Sequence, residues 1–309
     1  MPNYPLGLRH LSRRTAAVIV TYEPEAETLA RLIQSLSAQV RTVFIVDNAS
    51  SNFAHWQDIL APVDCRVIRM ADNEGIAAAL NRGLIAAEAE PGLEFCAIFD
   101  QDSAPSERMI EALEQHHDQL SRRGPVAQIG PYFFEHNRGI FLPFIEFRFG
   151  IPRRKRDPGN GTWTTADYLI SSGSLLSLAA LKKIGNMDES LFIDYVDIEW
   201  GLRAQAAGFQ SYGAFDVRME HRIGEEALDV AGFRLAVHKP LRRYYYYRNA
   251  VLLCRRPYIS LAWKVSEMTR LGIKFVIFST MSKRRREDFV MMTRGIRDGL
   301  RGKTGKYQH

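Results

Sequence analysis

The sequence predicts an α/β protein: a doubly wound, mostly parallel sheet with helices on both faces, followed by a helical, basic C-terminal extension. Three observations lead there. Short β-branched runs alternate with helix-period apolar patterns between residues 15 and 131. Each of the first four runs ends in carboxylates or amides. The charge balance then changes sign near residue 239.

The strands come first. Thr15–Thr21, Thr42–Asp47, Cys65–Met70 and Phe95–Asp100 are largely apolar on both faces, as strands covered by helices on either side must be. Between them, Leu29, Leu32, Ile33 and Leu36 recur at helical spacing, and Ile76, Leu80 and Leu84 fall four apart. After Asp102 a helix is predicted with Ser103 as cap, Pro105 in its first turn, and Ile110, Leu113 and Leu120 on one face. Strand–helix–strand repetition of this kind builds a parallel sheet. The aromatic, then basic stretch 139–165 reads as a long loop or hairpin. Asp167–Ser171 reads as a strand, followed by an apolar helix through Leu181. The segment FIDYVDIEWGLRAQAAG begins acidic and becomes a helix that ends at Gly208, a left-handed stop. Residues 239–309 read as helices with a frayed polar tail. The chain therefore divides into a body, 1–238, with halves at about 15–131 and 132–238, and the extension 239–309.

At 309 residues, 46% hydrophobic and 25% charged, the chain has globular composition, which excludes wholesale disorder, a collagen-like fibre and a polytopic membrane protein. Cys65, Cys96 and Cys254 form no CxxC pair, so neither a disulfide scaffold nor a cysteine metal site is indicated, and a reducing compartment fits. The net charge of +6 conceals an asymmetry: the extension carries 18 Lys/Arg against 4 Asp/Glu, the body 23 against 31. A mildly acidic body with a basic tail points to an anionic surface as partner. No stretch has the length of a signal h-region or the roughly 18 apolar residues of a span. The expected location is cytoplasmic, peripheral at the inner face of the cytoplasmic membrane.

Ligands of doubly wound sheets bind at the carboxyl ends of the strands. Asp100 and Asp102, one residue apart there, can converge on a hard divalent cation that completes its shell with substrate phosphates. The alternative is a pair of solvated acids favoured by a helix dipole. Asp47 closes another strand, where an acid can accept bonds from a base or ribose, or serve merely as a turn residue. Glycine-rich phosphate loops of the GxGxxG and GxxxxGK[ST] kinds are absent, so a nucleotide site here relies on metal rather than on a glycine nest. Asp194, Asp197 and Glu199 lie within six positions, where like charges raise one another's pKa and a helix N-terminus offsets part of the cost. One of them is a candidate general base. His221 alone indicates little, and no G-x-S-x-G elbow or activated thiol is seen.

Taken in order, VTYEP, VDNAS, DNEGIAAALNRG, FDQDS, SSGSL and FIDYVDIEWGLRAQAAGF resemble glycosyltransferase family 2, with the GT-A fold. Within it the chain is similar to bacterial rhamnosyltransferases that use dTDP-L-rhamnose. The resemblance covers residues 15–250. Galactofuranosyltransferases of the same family share much of the acidic-helix pattern. The QxxRW motif of processive members is missing, since Glu199-Trp200 runs into GLR, which disfavours a synthase of long homopolymers.

The resemblance implies roles residue by residue. It makes 15–131 the nucleotide-sugar half and 132–238 the acceptor half. Thr21, Tyr22 and Pro24 match the loop along the base, Asp47 the acid that recognises base or ribose, and Asn73 and Gly75 the motif beside the nucleotide and its sugar. Asp100 and Asp102 match the DXD motif that binds Mg²⁺ or Mn²⁺, with Asp100 also beside the nucleotide and His221 a third metal ligand. Asp197 matches the catalytic base. Glu199, and Asp194 near it, match the acids that hold sugar or acceptor. Ser172 and Gly173 match the floor beneath the donor sugar. The implied partners are dTDP-L-rhamnose and a lipid-linked or lipopolysaccharide glycan acceptor; an oligomer is compatible.

Two readings of another class compete. Lys283-Arg284-Arg285-Arg286 and the run Tyr244–Tyr247 suggest nucleic-acid binding through cationic grooves and stacking aromatics. The acidic body argues against it, and no nucleic-acid partner is expected. A catalytically dead sugar-binding scaffold is disfavoured by the intact Asp100, Asp102, Asp197 and His221 set. Within the extension, Lys264, Glu267, Arg270 and Lys274 recur at three- and four-residue spacing, with Leu261, Val265, Met268, Phe275 and Phe278 apolar and Trp263 near the start. This predicts either an amphipathic helix in the headgroup plane or a helix packed on the body with a solvated charged face.

Overall fold

The computed structural model describes residues 12–60, 65–135, 139–148, 151–159, 161–221, 227–230, 233–236 and 239–308. The first half alternates as expected: β1 (Thr15–Thr21), α1 (Ala26–Ser37), β2 (Thr42–Asp47), a short α2 (Phe53–Trp56), β3 (Cys65–Arg69), α3 (Ile76–Ala89) and β4 (Phe95–Asp100). Then come β5 (Ala104–Pro105), α4 (Met109–Leu120), β6 (Val126–Glu135), β7 (Ile140–Phe141), the hairpin of β8 (Phe144–Arg148) and β9 (Ile151–Lys155), and β10 (Trp163–Ala166). The body closes with β11 (Ser174–Ser177), α5 (Leu178–Ile184), α6 (Val196–Ala206), β12 (Gln210–His221) and a hairpin of β13 (Ala227–Val230) and β14 (Phe233–Ala236). The extension is α7 (Pro240–Cys254), α8 (Leu261–Met281) and α9 (Arg285–Leu300).

Among the described residues the main sheet runs β10-β12-β6-β11-β4-β1-β2-β3. Strands β4, β1, β2 and β3 are mutually parallel, as are β6 and β12, but β11 runs antiparallel between the two blocks. The sheet is thus mixed rather than simply doubly wound. Strand β1 is buried along its whole length because both faces are covered. One face packs on α1 and α4 through Leu29, Ile33, Ile110 and Leu113. The other packs on α3, α5 and α6, and the same continuous core takes in Tyr247, Leu253, Trp263, Phe278 and Met292 of the extension. No helix among the described residues is long and apolar enough to cross a membrane.

Four local expectations are corrected. The helix after Asp102 starts at Met109, because Ala104 and Pro105 instead pair with Glu220 and Met219 of β12. Asp167–Ser171 is not a strand: the Asp167 carboxylate accepts from Phe147 N (2.8 Å) and Gln205 Nε2 (3.0 Å), and Ser174 Oγ donates to Ile170 O (2.6 Å). Side-chain bonds there replace a ladder. The tail is not frayed, since Gly305 N donates to Ser190 O (2.7 Å) and Tyr307 N to the Tyr245 hydroxyl (2.7 Å). Finally, Tyr244, Tyr245 and Tyr247 are buried, Tyr245 stacked on Phe192 of the body and the other two against the extension's own residues Asp298 and Leu271, and so are not offered for stacking on bases.

The extension is joined internally by a buried ion pair. Arg243 Nε donates to Asp288 Oδ1 at 2.7 Å, and the guanidinium lies 3.4 Å from the Phe278 ring centroid. Removing one member strands the other charge, which costs about 3–5 kcal/mol. Asp288→Ala is therefore expected to lower the unfolding free energy by about that amount in urea titrations at neutral pH, whereas Glu287→Ala, one residue earlier and exposed, changes it by under about 0.5 kcal/mol.

Candidate active site

The parallel register brings the strand-end residues together. Thr21 is level with Asp47 across β1 and β2, and Val20 with Asp100 across β1 and β4. Asp47 and Asp100 thus flank the end of β1, about 10 Å apart at the spacing of two strands. Asp47 is fully buried. Its carboxylate accepts from Thr21 Oγ1 (3.3 Å) and Ser50 N (3.2 Å), with Arg69 Nε at 3.8 Å. It braces the floor of this corner. Asn73 Oδ1 accepts from Asn48 Nδ2 (3.2 Å) and Gly75 N (3.1 Å), joining the β2 and β3 ends. Tyr22 is half exposed above them, and buried Pro24 gives its carbonyl to Asn52 Nδ2 (3.1 Å).

Gln101 links this corner to the acidic pair. Its amide accepts from Tyr22 N (2.7 Å) and donates to Tyr22 O (3.2 Å), so the residue between the two aspartates orients the β1 loop. Ser172, fully buried, accepts from Asp100 N (3.3 Å) and shares a hydrogen with Ser103 Oγ (2.6 Å). Gly173 donates to Ile98 O (2.7 Å) at φ +74°, and a Cβ there would stand 2.6 Å from Met219 Sδ. Both therefore seat the Asp100–Ser103 loop from below. Asp102 is exposed and, among the described residues, makes no side-chain hydrogen bond or ion pair. The two aspartates supply hard oxygen donors of the kind Mg²⁺ and Mn²⁺ prefer. A third ligand is not seen among the described residues. The His221 side chain lies outside them, but its backbone follows directly on Glu220, which pairs with Ala104 two residues past Asp102.

The acidic loop before α6 is strained. Phe192 (φ 64°, ψ −63°) sits at the centre of a γ-turn closed by Ile193 N to Leu191 O at 2.8 Å, and Asp194 and Tyr195 also have positive φ. Side-chain-bearing residues held this way cost on the order of 1–3 kcal/mol each. Several contacts hold them. Asn249 Nδ2 donates to Leu191 O, Ile193 O and Asp194 O at 2.7–2.9 Å. Arg248 Nη2 donates to Leu191 O (2.9 Å), and Ile76 N, at the start of α3, to Phe192 O (2.8 Å). Gly75 is required there: a Cβ would lie 2.4 Å from Phe192 O. Asp194 is gripped by Arg242, whose Nε and Nη2 both donate to it (3.1–3.3 Å).

Asp197 follows in the first turn of α6 and accepts from Ile198 N (2.8 Å). Burial, reinforced by the charges of Asp194 and Asp100, pushes its carboxyl up to about 6; the Ile198 amide opposes this. Glu199 is placed differently. It is 1% exposed and committed to Arg203 (2.8 and 3.0 Å) and the Tyr258 hydroxyl, on the opposite side of α6, facing the extension. The residues that hold the site but were not assigned to it from sequence are Gln101, Asn48, Arg242, Asn249 and Ser103, the last read there as a helix cap. Gln101 was legible from its place inside the acidic pair. Arg242 and Asn249 lie some fifty residues from the loop they hold, and no local pattern marks them.

The Asp197 shift has a thermodynamic consequence. A carboxyl that holds its proton more tightly when folded gives stability that is lost as pH rises through its folded pKa. Asparagine cannot ionise. In metal-free buffer, Asp197→Asn should gain Tm over the native chain as pH goes from about 4 to about 7, then level off. A Tm difference independent of pH would contradict the assignment.

Comparison with known proteins identifies the family and the fold. The family model described as Glycosyl transferase family 2 matches residues 16–185, over half of the chain. The chain is 35% identical over 291 residues to a dTDP-rhamnosyl transferase, RfbF, of Shigella flexneri, covering 94% of this chain and 96% of that one. Among solved structures it is similar to GalNAc-T7 with UDP, GalNAc and Mn²⁺ (TM-score 0.55, 12% identity, 88% of this chain and 58% of that one). It is also similar to S. aureus TarS (TM-score 0.50, 14% identity, 87% and 44%). The chain spans about half the length of these two structures, and at such identities the likeness speaks for the GT-A-type fold alone. On the family match and the full-length relative together, this chain is a member of glycosyltransferase family 2.

Proposed function

We propose that this protein transfers L-rhamnose from dTDP-L-rhamnose, with inversion, to a glycan acceptor of surface polysaccharide or lipopolysaccharide assembly, at the cytoplasmic face of the membrane. The observation that carries the donor is the 35% identity to a dTDP-rhamnosyl transferase along 94% of the chain.

The roles are those the family resemblance implies, and the positions of the residues support them. The nucleotide lies over Thr21, Tyr22 and Pro24, on a corner braced by Asp47, Asn73 and Gly75. Ser172 and Gly173 support the loop on which the diphosphate rests. Asp100 and Asp102, with His221, would hold Mg²⁺ or Mn²⁺, which when bound supplies positive charge to the leaving diphosphate. Asp197 accepts the proton of the attacking sugar hydroxyl, a step worth about 10²–10⁴-fold. A carboxyl at about 6 is ionised at neutral pH yet basic enough to take a proton in the transition state. The fixed Asp194–Arg242 pair sets the loop and adds negative charge beside the base. Glu199 acts at one remove, by fixing α6 against the extension. Attack opposite the leaving group converts a β-L donor into an α-L-rhamnoside. On the acceptor side, a cavity of about 380 Å³ is lined by Phe133, Leu142, Phe144, Ile170, Arg154 and Tyr168. Tyr168 also lies within electrostatic reach of Asp197. The aromatic and basic lining suits a sugar chain.

The test is a donor screen: purified protein, a panel of nucleotide sugars, Mg²⁺ or Mn²⁺, and detection of released nucleotide. dTDP-L-rhamnose should be the preferred donor; a preference for UDP-galactofuranose would move the protein to the neighbouring subgroup. Asp197→Asn should lower kcat by about 10²–10⁴-fold with KM for the donor nearly unchanged. Asp102→Asn should abolish turnover and weaken metal-dependent nucleotide binding. Full activity in excess chelator would remove the metal from the account.

A further inference from the structure

Helix α8 is packed on the body by its charged side. Glu267 is 1% exposed, accepts from the Tyr195 hydroxyl and pairs with Arg270, while Lys274 donates to the Tyr246 hydroxyl at 2.7 Å. Trp263, Leu271 and Phe278 complete this inner side. The orientation differs from both sequence expectations, which put the charges in water. Tyr195 and Tyr246 give Glu267 and Lys274 partners inside, Arg270 reaches water from the edge of this side while paired with Glu267, and the side turned outward is largely apolar.

Leu261, Val265, Met268 and Val276 share one outward stripe of the helix and are 37–76% exposed, with Ile273 beside them. On α9, exposed Phe289 and Val290 continue the surface, and the Phe289 ring contacts Phe275 of α8 at 5.5 Å. Nine of the fifteen large apolar side chains exposed among the described residues fall between Leu261 and Leu300. Single exposed apolar residues are ordinary; a contiguous stripe across two neighbouring helices marks an interaction surface.

Charge selects the partner. Lys283, Arg284, Arg285, Arg286, Arg294 and Arg297 are exposed on or beside these helices. The acids are inside: Glu267, Asp288 and Asp298 are buried, and Glu287 is the one exposed acid between 261 and 300. A second copy docking through the same face would set this cationic surface against itself. An anionic bilayer offers hydrocarbon to the stripe and phosphates to its basic rim.

We propose that the outer face of α8 and α9 is a membrane-docking surface: the stripe enters the interface of an anionic bilayer, and Lys283–Arg286 holds it there by charge. The inference deepens the transferase reading, on which it rests, by naming the partner that presents the acceptor. Tyr195 and the base loop lie on the inner side of α8 and the stripe on its outer side, so docking sets the loop about one helix diameter, 10–12 Å, from the headgroups.

The test is cosedimentation of the full chain with phosphatidylcholine vesicles, with and without phosphatidylglycerol, at low and high salt. Binding should require phosphatidylglycerol and weaken with salt. Val265→Glu with Val276→Glu should weaken it at least about tenfold. Replacing Lys283, Arg284, Arg285 and Arg286 by Gln should weaken it at low salt and remove most of its salt dependence. Both variants should keep the native Tm and the native rate of donor hydrolysis in solution. No binding of the intact chain to anionic vesicles at low salt overturns the proposal, as does native-like binding by the Val265/Val276 variant. So does a dimer of the intact chain, measured by light scattering, that the same variant converts to monomer. Donor hydrolysis is read without vesicles, so failure of the transferase reading and failure of the docking surface appear in different measurements.

Discussion

One side-chain amide holds the conformation on which the site depends. Asn249 is fully buried, and its two Nδ2 hydrogens are shared among the carbonyls of Leu191, Ile193 and Asp194. Its own oxygen accepts from Arg248 Nε at 3.0 Å, which fixes the orientation of the amide. Leu191 O also accepts from Ile193 N and Arg248 Nη2, but the carbonyls of Ile193 and Asp194 depend on this amide, and burying them unpaired costs about 1–3 kcal/mol each. Together with the positive φ angles of Phe192, Asp194 and Tyr195, that penalty would drive the loop to relax. With Asn249 in place the strained loop is the satisfied one.

The rest of the site follows from that loop. Its Phe192 carbonyl meets the start of α3 at Gly75 and Ile76, so the acidic loop and the corner at the ends of β2 and β3 share one backbone contact. Burial raises its Asp194 carboxyl above the usual range, and the Arg242 guanidinium opposes that shift. Burial, with the Asp194 charge adding to it, raises Asp197 towards neutral pH, the range that the proposed role as base requires. Helix α7 thus holds the loop that precedes Asp197, although it lies outside the segment matched by the family model. The extension has two surfaces: its inner side holds the acidic loop before α6, and its outer side is the apolar, cationic face.

The sequence was most legible where the physics is local. Strands β1, β2 and β4 were read to the residue, because doubly covered parallel strands are apolar runs with polar ends. The α6 stop at Gly208 was visible as a left-handed glycine, φ 83°. Legibility failed where long-range pairing overrides local preference. Ala104 and Pro105 look like a helix start but are claimed by β12, and Asp167–Ser171 looks like a strand but is held by side-chain bonds. Helical periodicity located the two faces of α8 but not which one faces inward; Tyr195 and Tyr246 decide that. Asp194, Asp197 and Glu199 read as one cluster, yet the helix turns Glu199 towards Arg203 and Tyr258, away from the other two.

The central claim is that Asn249 maintains the loop at residues 191–195 against its own strain. Amide hydrogen exchange across residues 190–198, comparing the native chain with Asn249→Ala, tests it most directly. The account predicts faster exchange confined to that segment and to the first turn of α3, with protection in β1, β2 and β4 unchanged. Native-like protection of 190–198 in the variant would show that the loop keeps its conformation without the amide, and would contradict the account.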